Sequence, residues 1–158
     1  MDNTGSGYRF RLMSNEEATR ISRWHYEAPY DFYDATSDPD DLTELLDPQR
    51  RKDAYFSVFD EGGELVGFFQ FEREGTTVDV GLGLRPDLTG RGLGVRYLLA
   101  GLEFARERFS PERFTLSVAT FNERAIQVYE RAGFRRNTLY KHYTNGGEHL
   151  FLSMTREA

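Results

Sequence analysis

Apolar and polar positions alternate along residues 8–13, which predicts a first strand. Ser14, followed by Glu16 and Glu17, marks a helix start: a side-chain cap with acidic residues where the helix dipole favours them. That helix runs through Ala18, Ile21 and Trp24. The segment 24–41 breaks the pattern with Pro29 and Pro39 and a crowd of Tyr and Asp. Residues 40–51 predict a short second helix carrying Leu42, Leu45 and Leu46. Strands at 54–59 and 65–72 flank Glu61-Gly62-Gly63-Glu64, a hairpin turn, and Thr77–Leu84 is a further strand. The strongest helix spans 90–109, with Val95, Leu98, Leu99, Leu102, Ala105 and Phe109 as its apolar stripe. After a strand at 114–119, a helix at 122–132 carries Ala125, Val128, Tyr129 and Ala132 on one face. Gly133 stands where a left-handed cap belongs, with Phe134 as its apolar contact. Strands at 138–144 and 149–155 flank Asn145-Gly146-Gly147, a second hairpin. The order β, α, α, β, β, β, α, β, α, β, β predicts an α/β (α+β mixed) protein, a mixed sheet with helices on its faces.

The chain has 158 residues, a length expected of one domain over 1–158. Residues 1–7 read as a loose tip, and no repeat or linker divides the rest. With no cysteine, a disulfide framework, a thiolate nucleophile and a thiolate metal site are excluded. His25, His142 and His149 have no ligand spacing and read as structural or exposed, so no metal is expected. A net charge of −6 argues against bulk nucleic-acid binding. No apolar stretch is long enough for a membrane span and no signal-peptide run opens the chain, so a soluble cytoplasmic protein is expected.

The most informative passage is Leu82-Gly83-Leu84-Arg85-Pro86-Asp87-Leu88-Thr89-Gly90-Arg91-Gly92-Leu93-Gly94. A strand ends, a loop of alternating glycines follows, and a long helix begins. Such glycines let the backbone take positive φ and let a ligand approach closely. The helix start adds unpaired N–H groups and a partial positive charge, which makes an anion site. The Walker pattern does not occur, and Gly90, Gly92 and Gly94 fail the third position of the dinucleotide pattern, which weakens a nucleotide-dependent oxidoreductase reading.

This passage resembles the acyl-CoA loop of the GNAT-superfamily N-acetyltransferases, Gln/Arg-x-x-Gly-x-Gly/Ala between a strand and a helix. It falls on Thr89-Gly90-Arg91-Gly92-Leu93-Gly94, with Thr89 where the family favours Gln or Arg. A second block, Asn122-x-x-Ala125-x-x-x-Tyr129-x-x-x-Gly133-Phe134, matches the family pattern after the next strand. The resemblance implies a GNAT-like acyl-CoA N-acyltransferase fold: a mostly antiparallel central sheet, splayed open after the fourth strand, with helices on both faces. It implies acetyl-CoA as co-substrate and direct transfer of the acetyl group to a primary amine, which suits a chain without cysteine. The pantetheine arm would lie along Leu82–Leu84 and the pyrophosphate on the amides of Thr89, Gly90, Arg91, Gly92, Leu93 and Gly94, with Val95 adding one more. Tyr129 takes the position of the acid that protonates the leaving thiolate; Asn122 both caps its helix and borders the cofactor. A non-catalytic acyl-CoA-binding sensor or interaction module is the alternative. Dimers are common among relatives, which leaves a homodimer open.

A base is needed to deprotonate an ammonium acceptor. Asp79, Glu72 and a water chain are the candidates, and alternation puts Asp79, Gly81 and Gly83 on one strand face and Val80, Leu82 and Leu84 on the other. In the family the segment between the first two helices borders the acceptor. Here it holds Trp24, Tyr26, Tyr30 and Tyr33, interleaved with Glu27, Asp31 and Asp34 and followed by Asp38, Asp40 and Asp41. Two readings stand: rings and carboxylates walling a cationic amine, or a loop packed by its rings with its acids in water. The partner is a small-molecule or peptide amine; no nucleic acid or membrane is expected.

Overall fold

The computed structural model describes residues 2–3 and 7–158, so the expected loose tip at 1–7 falls mostly outside the described residues. Strands β1 (Asp2–Asn3), β2 (Arg9–Leu12), β3 (Tyr55–Phe59), β4 (Leu65–Glu74), β5 (Thr77–Leu84), β6 (Arg113–Ala119), β7 (Arg135–Thr144) and β8 (Gly147–Glu157) form one sheet in the order β1-β2-β3-β4-β5-β6-β8-β7. Every neighbouring pair is antiparallel except β5 and β6. Between those two strands lies the helical crossover α4 (Gly94–Phe109), the connection a parallel pair needs. Their ladder joins Thr77–Asp79 to Arg113–Thr115 and then stops, so the strands part from Val80 onward. This is the opening expected after the fourth strand; β1 adds one to the count. No helix among the described residues is long and apolar enough to cross a membrane.

Two clusters sandwich the sheet. One packs α4 and α5 (Glu123–Arg131) on β2–β6, with Phe10, Phe56, Phe69, Phe71 and Phe104 at its centre. The other joins α1 (Asn15–Ser22) and α2 (Pro39–Leu46) to the opposite face through Ala18, Ile21, Leu45, Tyr55 and Leu65. Helices thus cover both faces.

Several boundaries differ from the sequence expectation, each for a local reason. The long helix starts at Gly94 rather than Gly90, because Gly90 and Gly92 sit at φ +72° and +77°, outside any right-handed helix. Its buried face is Tyr97, Leu98, Gly101, Leu102, Phe104 and Ala105, while Leu99 is 41% exposed. The single helix expected at 40–51 is two. Asp47 ends α2 and caps α3 (Pro48–Arg51), where Pro48 has no N–H to continue the earlier ladder. The first helix stops at Ser22, short of Trp24, and the last pairs Asn122 as cap with a left-handed Gly133 at φ +97°. Ile126, absent from the expected stripe of that helix, is its buried residue.

α4 lies so close to the sheet that a Cβ on Gly101 would sit 2.2 Å from the buried Phe69 ring. Gly101→Ala should therefore cost about 1–3 kcal/mol by overpacking and lower Tm by roughly 3–10 °C in a thermal melt. An unchanged Tm would mean that the helix shifts freely, and the loop at its start with it.

Candidate active site

A cleft of about 660 Å³ opens where β5 and β6 part. Its first wall is the glycine loop. Gly92 has nothing within 4 Å of the place a Cβ would take, so a ligand can approach the backbone there. Leu93 caps α4 without a side-chain hydrogen bond, and no acidic residue stands in the first turn, so those amides and the positive helix end remain for an anion. This cradle suits a diphosphate. Thr89, Gly90, Gly92, Leu93, Gly94 and Val95 line the cleft. Two assigned residues contribute less than expected. Thr89 donates both its N–H and its hydroxyl to Pro86 O, which spends them inside its own turn. Arg91 is exposed and does not line the cleft.

The second wall is the open strand edge. Arg85 N–H donates to Val66 O on β4 at 2.7 Å. Across the trans peptide, Leu84 C=O therefore points the other way, into the gap. The main-chain groups of Leu82, two residues back, face the same side. Tyr26 donates its hydroxyl to Leu84 O at 2.7 Å, and Tyr97 donates to Gly83 O at 2.8 Å. On the opposite lip, Ala119 N–H donates to the Tyr33 hydroxyl at 3.2 Å. Glycines 81 and 83 face Gln70 and Phe68, on the sheet face of α1 and α2.

α5 forms the third wall. Asn122 is buried, accepts from Ala125 N–H at 3.1 Å, and lines the cleft with Ala125, Val128 and Tyr129. The Tyr129 ring stands 6.4 Å from that of Phe134, and its hydroxyl makes no hydrogen bond among the described residues. Burial, with a smaller push from Tyr33, raises its pKa well above the ordinary tyrosine value, so it keeps its proton.

The fourth wall holds Trp24, Tyr26, Tyr30 and Tyr33, all four rings that the sequence put beside the acceptor. The interleaved acids go elsewhere. Asp34 is buried and accepts from Tyr26 N–H while pairing with His25 at 3.0 Å, which pins the loop rather than a ligand. Asp38 caps α2 and accepts from Thr144 and Asn145 at the tip of the β7–β8 hairpin. Glu27, Asp31 and Asp40 do not line the cleft. The carboxylates that do are Asp41 and Glu44, one turn apart on α2. Burial and the neighbouring charges of Asp38, Glu44 and Asp40 raise the Asp41 pKa from the ordinary aspartate value. Glu44 accepts from the Tyr55 hydroxyl.

Neither carboxylate among the base candidates lines the cleft. Asp79 lies one same-face step beyond Gly81, accepts from Thr115 at 2.7 Å and does not line the cleft. Glu72, its cross-strand partner, accepts from Gln70 at 2.8 Å and is also outside. Sequence reasoning missed Glu44, Tyr55, Gln70, Tyr97 and Arg124. Only the spacing of Asp41, Glu44 and Leu45 on one helical face offered a signal. Among the described residues no cluster of His, Cys, Asp and Glu could hold a metal ion.

The profile of the acetyltransferase (GNAT) family matches residues 18–134. A mycothiol acetyltransferase from Salinispora tropica is 33% identical over 99 residues, 58% of this chain and 32% of that protein. The chain thus spans about a third of that relative's length. The N-alpha-acetyltransferase RimI of Mycobacterium tuberculosis is 36% identical over 87 residues, 52% of each chain. Among solved structures, a spermidine N-acetyltransferase from Vibrio cholerae in complex with CoA and spermine superposes with a TM-score of 0.75 at 18% identity, covering 97% of this chain and 96% of that one.

Proposed function

Because this chain belongs to the acetyltransferase (GNAT) family, we propose that it transfers an acetyl group from acetyl-CoA directly to a primary amine, and that the acceptor is a small cation. The observation that carries this reading is one continuous cleft joining the anion cradle, the parted strand edge, the protonated Tyr129 and the carboxylates of Asp41 and Glu44. The amides of Gly90–Gly94 and the first turn of α4 hold the diphosphate, with Thr89 shaping the turn. Leu82 and Leu84 offer main-chain groups to the pantetheine arm as a missing strand would. An N–H at the end of β5 polarises the thioester carbonyl. The amine nitrogen bonds to the carbonyl carbon, the carbon–sulfur bond breaks, Tyr129 gives its proton to the departing thiolate, and the proton that the acylated nitrogen loses returns through water to the Tyr129 oxygen. With Asp79 and Glu72 outside the cleft, the ammonium proton leaves through water. Asp41 and Glu44 hold a second positive group of the acceptor under the rings of Trp24 and Tyr26. The spermine bound to the Vibrio cholerae relative supports a cationic acceptor.

Thiol release from acetyl-CoA across a panel of diamines, neutral amines and peptides tests the reading. Diamines should turn over best. CoA binding without thiol release from any amine would instead support the non-catalytic module.

Asp41→Asn should raise the diamine KM about tenfold and leave kcat nearly unchanged, as expected for loss of one charge-assisted contact in the bound state. The pH sign follows from its raised pKa. Asp41 is ionised above that pKa and neutral below it, and it crosses at a higher pH than an isolated carboxylate. The wild-type diamine KM should therefore rise as pH falls through that range. In the Asn variant this part of the rise should be absent; an identical pH profile would remove Asp41 from the acceptor site.

A further inference from the structure

The groups placed so far leave Arg124 unused. It stands in the first turn of α5, is exposed, and makes no ion pair among the described residues. Its guanidinium carbon lies 4.0 Å from the centre of the Tyr30 ring. A Cβ on Gly90 would sit 3.5 Å from Arg124 Nη1. Both Arg124 and Tyr30 line the cleft. Tyr30 continues into a ring cluster, 6.4 Å from Phe121, which lies 6.0 Å from Tyr33. One side chain therefore stands beside the glycine loop and against the tyrosine wall of the cleft.

A guanidinium can serve both contacts without conflict. Its N–H groups point outward in the plane, toward an anion, while its flat face stacks on a ring. An anion in the cradle fixes that plane, and the plane is what Tyr30 rests on. A lysine would keep the charge but not the plane.

We propose that Arg124 couples the two halves of the cleft: a diphosphate in the glycine loop takes the edge of its guanidinium, and the fixed face then orders Tyr30 and the acceptor wall. Arg124 is thus a positioning residue, and the acceptor half is completed only once the cofactor half is filled. This rests on the acyl-CoA reading above.

Trp24, the single tryptophan, lines the same cleft and reports the state of that wall. CoA is titrated with two readouts, calorimetric binding and Trp24 emission. In the wild-type protein both should follow one isotherm. Dephospho-CoA, which keeps the diphosphate, should give the same emission change, and pantetheine, which has no phosphate, should not. Arg124→Ala should bind CoA about tenfold more weakly and show no emission change at saturation. Arg124→Lys should recover most of the binding but not the emission change. Tyr30→Leu should bind CoA within about threefold of wild type and also lose the change, as expected for one exposed cation–π contact. Far-UV circular dichroism checks that each variant is folded. A full emission change in saturated Arg124→Ala or Tyr30→Leu, or with pantetheine, overturns the coupling. So does wild-type CoA binding with no emission change. Absence of calorimetric CoA binding to the wild type overturns the acyl-CoA reading itself, and the coupling with it.

Discussion

Tyr129→Phe should lower kcat about 100-fold and leave the CoA dissociation constant within about twofold of wild type, the pattern of a lost general acid. The substitution removes one hydroxyl and keeps the ring that stands against Phe134, so the α5 wall stays in place. That hydroxyl has no hydrogen-bond partner among the described residues and belongs to a residue that lines the cleft, which makes it the candidate proton donor. Burial raises its pKa, so the acid form persists through the neutral range and into alkaline pH. Wild-type kcat should therefore show no loss of an acid between neutral and mildly alkaline pH. Single-turnover mixing with a diamine reads the chemical step even if release of CoA limits steady state. An unchanged single-turnover rate in the Phe variant would leave Tyr129 as a packing residue.

Gly92→Asp should weaken CoA binding about 100-fold, roughly 2.7 kcal/mol, with little change in Tm. Gly92 sits at φ +77° with open space around the missing Cβ. Aspartate is among the residues that tolerate left-handed backbone, so the loop keeps its course. What changes is the field: a carboxylate enters a cradle whose amides and helix end are arranged for negative charge. Gly92→Asn is the control, with the same shape and no charge, and should lose much less. Equal losses in both variants would assign the effect to backbone strain instead of charge.

Much of this site could be read from the chain because its parts are local. Gly90, Gly92 and Gly94 fall within five residues at the loop–helix junction, and Asn122, Tyr129 and Gly133 are fixed by helical spacing within one segment. The strand Thr77–Leu84 matched residue for residue, because turns close both of its ends. What could not be read is long-range. That Asp34 would turn inward onto the Tyr26 amide depends on how its loop folds back, as does the use of Asp38 by a hairpin tip more than 100 residues away. Asp79 is near the glycine loop in sequence, but its bond to Thr115 exists only because β6 pairs beside it. The α4 stripe was rotated at Leu99 because leucine marks hydrophobicity without saying which side is covered.

The two tyrosine hydroxyls at the opening have one more effect. A sheet that divides in its middle exposes a carbonyl on one side and an amide on the other, the pairing pattern that recruits stray strands and begins aggregation. Tyr26 fills the carbonyl at Leu84 and Tyr33 fills the amide at Ala119, both from the same short loop. The loop that lines the cleft is therefore also a guard for the empty protein, and removing its hydroxyls would be felt first in solubility during storage, before any substrate is added.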